Sequence, residues 1–199
     1  MPCSNRPHRL FTIAAQGCPA MYEPAIRRLR AFDRPEIETH FRSLDPQSLR
    51  LRFGVPMPHS TMRAYTAEIF GDSAIVFGAF PDSHLRGLGE LRPMRDTPRA
   101  AETALTVEPP WQNRGIGDAL LSRLIVAARN RGFKQVHMLC LATNQRMRHL
   151  ACKHRAELRM TTGQISATLT APHPTPFSVI EELAGEYHAL ARAILSWPD

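Results

Sequence analysis

The sequence predicts an α/β domain: a mixed β-sheet flanked by helices, with one additional helix at the C-terminal end. Three observations carry this reading. A strand, a glycine-bearing loop and a helix follow one another without interruption between Glu102 and Gly132. Two apolar runs, Ala74 to Phe80 and Leu85 to Leu91, are parted by Pro81-Asp82, so they form a hairpin. A third run, Val136 to Leu141, lies beyond the helix, and pairing it in parallel with the strand at Ala101 to Val107 requires the crossover that this helix supplies. A hairpin and a crossover in one sheet make it mixed. With 199 residues and 43% hydrophobic content the chain suits a single core.

Residues 1–20 carry prolines at positions 2, 7 and 19 around a short apolar centre, Leu10 to Ala15, and are expected to be an extension of the domain at 21–171. Ala25 to Phe32 alternates imperfectly and reads as the first strand. Asp33 is placed to cap a helix with Pro35 in its first turn and Ile37, Phe41 and Leu44 on one face; Asp45-Pro46 repeats the device. Ser60 precedes a third helix with Met62, Tyr65, Ile69 and Phe70, which Gly71-Asp72 ends. In the central unit, Ala101 to Val107 alternates in polarity and Pro109-Pro110 stops the ladder, because proline donates no amide hydrogen. From Asp118, residues Leu120, Leu121, Leu124, Ile125 and Ala128 recur at helical spacing up to the stop at Gly132. Lys134 to Ala142 is a strand covered on both faces. Gln145 to Leu158 reads as helix and Thr161 to Ala171 as one strand, or two with Met160. Residues 172–199 comprise a proline-rich linker and a last helix, for which Ser178 and Glu181 suggest a capping box. Its stripe of Val179, Ile180, Leu183, Tyr187, Leu190, Ile194 and Leu195 packs on its own domain or forms a homodimer contact.

No apolar run reaches 18 residues and Met1 to Gly17 lacks a secretory pattern, so neither membrane span nor export signal is expected and a cytoplasmic location is. Cys3, Cys18, Cys140 and Cys152 form no Cys-x-x-Cys pair and read as reduced thiols. The formal charge of +7 is carried by arginine, since Lys134 and Lys153 are the only lysines. A solvated surface or attraction to a polyanion both account for it. The arginines are scattered without aromatic interleaving, which argues against nucleic acid as the partner. His149, Cys152 and His154 lack zinc spacing, and no metal is expected.

Gly115 and Gly117 stand where the loop becomes the helix. Without Cβ atoms they let the backbone approach a ligand, and the first helical turn leaves amide hydrogens free at its positive end, a combination that binds phosphate. No Gly-Lys-Ser/Thr follows, and no third glycine lies three residues past Gly117, so this is neither a Walker A loop nor a Rossmann fingerprint. Gln112, Gly115 and Gly117 do occupy the places of Gln/Arg-x-x-Gly-x-Gly/Ala, the pyrophosphate-binding signature of the GNAT acyltransferase superfamily. The surrounding order is also similar: Val107 ends the strand before the loop and Asn144 closes the strand after the helix. The resemblance extends over about Ala25 to Leu169, and Ser48 to Phe53 with Ala101-Glu102 look like bacterial protein-lysine acetyltransferase domains.

This resemblance implies a mostly antiparallel sheet and acetyl-CoA as cosubstrate, bound by Leu105, Thr106, Val107, Gln112, Asn113, Arg114, Gly115, Ile116, Gly117, Asp118 and Asn144. It implies transfer of acetyl to a primary amine, with a protein lysine favoured over a small-molecule amine; a degenerate acyl-CoA sensor is the alternative. Arg50, Arg52, Phe53, His59 and Tyr65 fall on the acceptor side. An amine of pKa near 10.4 is only about 0.04% neutral at pH 7, so a base helps. Glu102 is the residue expected in that role, with Glu90 and Glu108 weaker. It shares a strand face with Ala104 and Thr106, about 6–7 Å of strand per two residues; a solvent-facing or ion-paired glutamate is the competing reading. By the same resemblance the backbone amide near Val107 serves the oxyanion, and Asn144 bonds pantetheine, caps a helix, or both. Many relatives carry a tyrosine in the helix after Asn144. This chain has Leu150, Ala151 and Cys152 there, and Arg155-Ala156 where relatives have Gly-Phe.

Overall fold

The computed structural model describes residues 24–171, 173–180 and 182–184. Its seven-stranded sheet consists of β1 (Ala25–Arg28), β2 (Ile75–Phe80), β3 (Gly87–Pro93), β4 (Ala100–Val107), β5 (Gln135–Leu141), β6 (Glu157–Thr161) and β7 (Gln164–Thr170), in the order β1-β2-β3-β4-β5-β7-β6. Every pairing is antiparallel except β4 with β5. That pairing is parallel because helix α4 (Ile116–Asn130) carries the chain back across the sheet.

Two cores lie on opposite faces. On one, α1 (Arg34–Arg42) and α3 (His59–Glu68) bury Ile37, Phe41 and Met62 against Val76 and Leu88. On the other, α4 lays Leu120, Leu121 and Leu124 onto Leu91, Ala101 and Val136. The helix comes so close to β3 that a Cβ at Gly87 would stand 2.7 Å from Ile116 Cγ2, and one at Gly89 2.8 Å from Leu124 Cδ1. Those glycines are required by close approach rather than by a bulge.

The first strand ends at Arg28, earlier than its alternation suggested. Asp33 is the cause: its carboxylate takes the Arg30 amide (2.7 Å) and the Arg27 guanidinium (2.8 Å), folding the chain into a 3-10 turn at Ala31–Asp33, and it does not cap α1. Asp45 does cap α2 (Pro46–Phe53), accepting the Ser48 amide at 2.6 Å. The third helix begins at His59 after Pro58, one residue ahead of Ser60.

Helix α5 (Gln145–Lys153) is shorter than expected. Arg155 adopts a left-handed φ of 58°, and the Ala156 amide reaches back to the Ala151 carbonyl at 2.8 Å. This is the closure Gly132 makes after α4, where φ is 75° and the Phe133 amide bonds the Ala128 carbonyl at 3.0 Å. Leu158 therefore belongs to β6, which turns into β7 at Gly163. Residues 176–180 and 182–184 are helical. Thr175 and Ser178 cap this start reciprocally, each amide on the other's hydroxyl at 3.1 Å, so the box stands three residues earlier than Ser178–Glu181. Asn130 and Arg131, at the end of α4, hold Glu182 at 2.7 and 2.9 Å. Phe177, Ile180 and Leu183 face outward. Glu181, Tyr187, Leu190, Ile194, Leu195 and the extension at 1–20 lie outside the described residues. Among the described residues no helix is long and apolar enough to cross a membrane.

Candidate active site in the gap between β4 and β5

β4 and β5 pair only from Ala100 opposite Gln135 to Glu102 opposite His137; beyond that pair they separate. The backbone of β4 alternates between its two neighbours. Glu108 donates to the Arg86 carbonyl (2.9 Å) and Met94 to the Ala100 carbonyl (3.0 Å), so even-numbered residues bond β3 and odd-numbered ones turn toward β5. Leu105 and Val107 therefore present their amides to the gap. The Val107 carbonyl is taken by Gln112 Nε2 at 2.9 Å, and the same group lies 3.3 Å from Ser48 Oγ. Gln112 thus ties the loop to both the end of β4 and α2.

The gap opens into a groove of about 680 Å³. Of the residues expected to bind cofactor, Leu105, Thr106, Val107, Gln112, Asn113, Gly115, Gly117, Asp118 and Asn144 line it. Ile116 is buried in the core, leaving only its backbone for a ligand, and Arg114 turns onto the Trp111 ring, its guanidinium 5.0 Å from the centroid. At the head of α4, Asn113 and Gly115 take φ of 60° and 83°, and no side chain caps the helix. Its first amides are left for an anion. Asp118 in that turn would oppose one, yet it is already matched by Lys153 and His154, both at 2.8 Å. Burial alone would push its carboxyl up, but those two hydrogen bonds hold it below the usual range. Asn144 is buried and caps α5 through Oδ1 (3.2 Å to the Met147 amide), leaving its Nδ2 group without a partner among the described residues.

Sequence reasoning missed Ser48, Trp111, Arg146, His149 and Lys153, which also line the groove. A signal for the last three exists: with Leu150 they recur at i, i+3, i+4 and i+7, one face of α5.

The three glutamates differ sharply. Glu90 is 2% exposed and receives Tyr65 Oη at 2.6 Å, Arg52 at 2.9 Å and Arg92 at 3.2 Å. Burial and the neighbouring carboxylate push the Tyr65 phenol upward, so it stays a donor to Glu90. Phe41 and Phe53 each meet the Tyr65 ring edge-on, and Arg52 reaches the groove. Glu108 is buried on His40 (3.3 Å) and Arg86 (2.9 Å), while His40 Nε2 meets Thr106 Oγ1 at 2.9 Å. Burial works against its ionisation, but the bonds from His40 and Arg86 keep the carboxyl below the ordinary range. Glu102 alone of the three is exposed, with no hydrogen bond or ion pair among the described residues. It sits in the last pair before the gap.

The description Acetyltransferase (GNAT) family matches residues 41–154. The GNAT domain of S. lividans PAT shares the fold with a TM-score of 0.63 at 18% identity, over 73% of this chain and 89% of its own. The ribosomal-protein-S18-alanine N-acetyltransferase from Escherichia coli gives 0.58 at 19%, over 77% and 97%. A putative acetyltransferase from Salmonella typhimurium, solved with its cofactor acetyl-CoA, gives 0.58 at 19%, over 76% and 96%. The match runs from the end of α1 through the gap and α4 to the end of α5, over half of the sequence, and the chain belongs to the acetyltransferase (GNAT) family.

Proposed function

We propose that this protein transfers an acetyl group from acetyl-CoA directly to a primary amine, the side chain of a protein lysine, with Glu102 as the base. The observation that carries this is the unpaired carboxylate of Glu102 at the last pair before the gap, on a sheet face where Leu139 is 54% exposed and a large acceptor has room.

Acetyl-CoA supplies a thioester-activated acetyl group and a thiolate that can leave. The residues present fit it. The free amides at the head of α4 suit a pyrophosphate, with Arg146 and Lys153 at the rim for further phosphate charge. Leu105, Val107 and the Nδ2 group of Asn144 offer hydrogen bonds to an amide-bearing chain lying in the gap. The Val107 amide is fixed by the ladder and can face developing negative charge on a carbonyl oxygen. Glu102 lies five residues before Val107 on β4, about 16 Å along the strand, so it takes the ammonium proton through intervening water and, being exposed, returns it to bulk solvent.

The test is a panel of lysine peptides, free protein amino-termini, polyamines and aminoglycosides offered with acetyl-CoA to the wild type and to Glu102→Gln. Acetylation of lysine peptides, lost in the variant, is expected; turnover of polyamines or aminoglycosides alone would assign a small-molecule acceptor. Leu150, Ala151 and Cys152 in α5, with no tyrosine among them, favour a second reading in which the domain senses acyl-CoA without turnover. That reading predicts acetyl-CoA binding with wild type and Glu102→Gln indistinguishable.

A further inference from the structure

Glu102 acts through water from well up the strand, and α5 offers no acid to the leaving group, so the proton that the nitrogen sheds as its new bond forms needs a nearer acceptor. A buried chain of side chains ends beside the gap. Glu108 Oε1 lies 3.3 Å from His40 Nδ1, and His40 Nε2 lies 2.9 Å from Thr106 Oγ1. Arg86 holds the other oxygen of Glu108 at 2.9 Å. A carboxylate can only accept, so Nδ1 carries its hydrogen toward Glu108, and the neutral ring presents a bare Nε2 that accepts the Thr106 hydroxyl. Thr106 lines the groove, and its Oγ1 makes no other hydrogen bond among the described residues. Carboxylate, imidazole and hydroxyl in that order turn a hydroxyl oxygen into a proton acceptor.

The place of Thr106 decides what this chain serves. It stands between Leu105 and Val107, whose amides face the gap, at about 3.8 Å from each in Cα spacing. Its side chain shares the strand face of Glu102 and Ala104, the face on which Leu139 is exposed. A hydroxyl there stands beside a carbonyl held by either amide. His40 is enclosed between α1 and the sheet, so it reaches a substrate only through Thr106.

We propose that Thr106 is a second catalytic residue, whose hydroxyl passes a proton from the attacking nitrogen to the departing thiolate, with His40 and Glu108 as the positioning residues behind it. This rests on the acetyl transfer proposed above. Glu102 takes the first proton through water, converting ammonium to amine. As the N–C bond forms, the nitrogen gives its second proton to Thr106 Oγ1, and the hydroxyl's own proton moves to His40 Nε2. As the C–S bond breaks, Nε2 returns that proton to Oγ1, which hands one to sulfur. The products are an amide and a free thiol, and the chain is back in its starting state. Glu108 stays a carboxylate throughout and faces the imidazolium while it lasts.

The experiment compares the wild type with Thr106→Val, Thr106→Ser and His40→Gln, each at a temperature where it is folded. Free thiol released from acetyl-CoA is read with a pool of lysine peptides and polyamines as acceptors. Thr106→Val should lose about 100-fold in kcat, the scale of one proton-transfer group, with an unchanged KM for acetyl-CoA. Thr106→Ser restores the hydroxyl and should keep most of the rate. His40→Gln should be slow as well, and combining it with Thr106→Val should slow the enzyme no further, because groups that act as one unit are not additive. Rates in mixtures of light and heavy water read the relay itself: protons moving together give a curved dependence on deuterium content, which Thr106→Val should lose. Should His40→Gln fail to fold, the two Thr106 variants decide. A Thr106→Val protein with the wild-type rate, equal losses in the valine and serine variants, or the same isotope dependence in wild type and Thr106→Val overturns the proposal alone. So does an acetyl group found on Thr106 by mass spectrometry. Acetyl-CoA that is not bound, or is bound without turnover of any acceptor, overturns this step together with the transfer on which it rests.

Discussion

Gly115 and Gly132 stand just outside the two ends of α4, with φ of 83° and 75°, and a Cβ at either would meet nothing within 4 Å. Replacing each by alanine is therefore a matched pair in which packing plays no part. The left-handed conformation costs an L-residue about 1–2 kcal/mol. At about 2–4 °C per kcal/mol for a chain of this size, either variant should melt about 2–8 °C below the wild type. The consequences for ligand binding differ. Relaxation at Gly115 turns the first amides of α4 away from an anion, and losing one charge-assisted hydrogen bond of about 1.5–3 kcal/mol weakens binding about 10- to 150-fold. Acetyl-CoA at 100 times its Kd should stabilise the wild type by about 2.7 kcal/mol, a rise of about 5–10 °C. At the same concentration a 30-fold weaker variant gains only about 0.9 kcal/mol, or about 2–4 °C. Thermal melts with and without acetyl-CoA read both quantities. Gly132→Ala should keep the full ligand-induced rise and Gly115→Ala should lose most of it. Equal rises in the two variants would refute the assignment of the anion site to the head of α4.

Glu102→Gln should lower kcat/KM about 100-fold, the scale of one acid–base group, without changing the affinity for acetyl-CoA, as steady-state kinetics and calorimetry will read. Arg155→Gly removes a left-handed side chain that is exposed, and after the extra freedom it gives the unfolded chain it should still raise the melting temperature by about 1–4 °C. Glu108 has a carboxyl held below its ordinary range, so its stabilisation is present above the unfolded pKa of about 4.3 and is lost as pH falls through the folded value. The stability gap between wild type and Glu108→Gln in denaturant titrations should be widest above about pH 5 and narrow toward pH 3. A gap that widens on acidification would contradict the ion pairs assigned to Glu108.

Where function and local chemistry coincide, the sequence was readable. Gly115, Gly117, Pro109-Pro110 and the spacing of Leu120, Leu121 and Leu124 each act on their own stretch of backbone, and they mark the loop and α4 correctly. What was hidden depended on partners far along the chain. Nothing near Asp33 announces that Arg27 will claim it, and Arg155 shows no glycine to betray a left-handed turn. Glu90 and Glu102 look alike as letters on paired strands. Only the convergence of Arg52, Tyr65 and Arg92 occupies one and leaves the other free. The alternation on β4 did indicate the shared face of Glu102, Ala104 and Thr106, but not the residue at which β5 departs, because that lies in the register of two strands far apart in the chain.

The central claim is that the gap and the head of α4 hold acetyl-CoA. Calorimetric titration of acetyl-CoA into the wild type and into Gly117→Glu tests it most directly, since Gly117 lines the groove and a carboxylate there would face the pyrophosphate. Saturable binding to the wild type that disappears in a variant retaining the wild-type fold is the predicted result. No saturable heat with the wild type, or equal affinity in the two proteins, would contradict it.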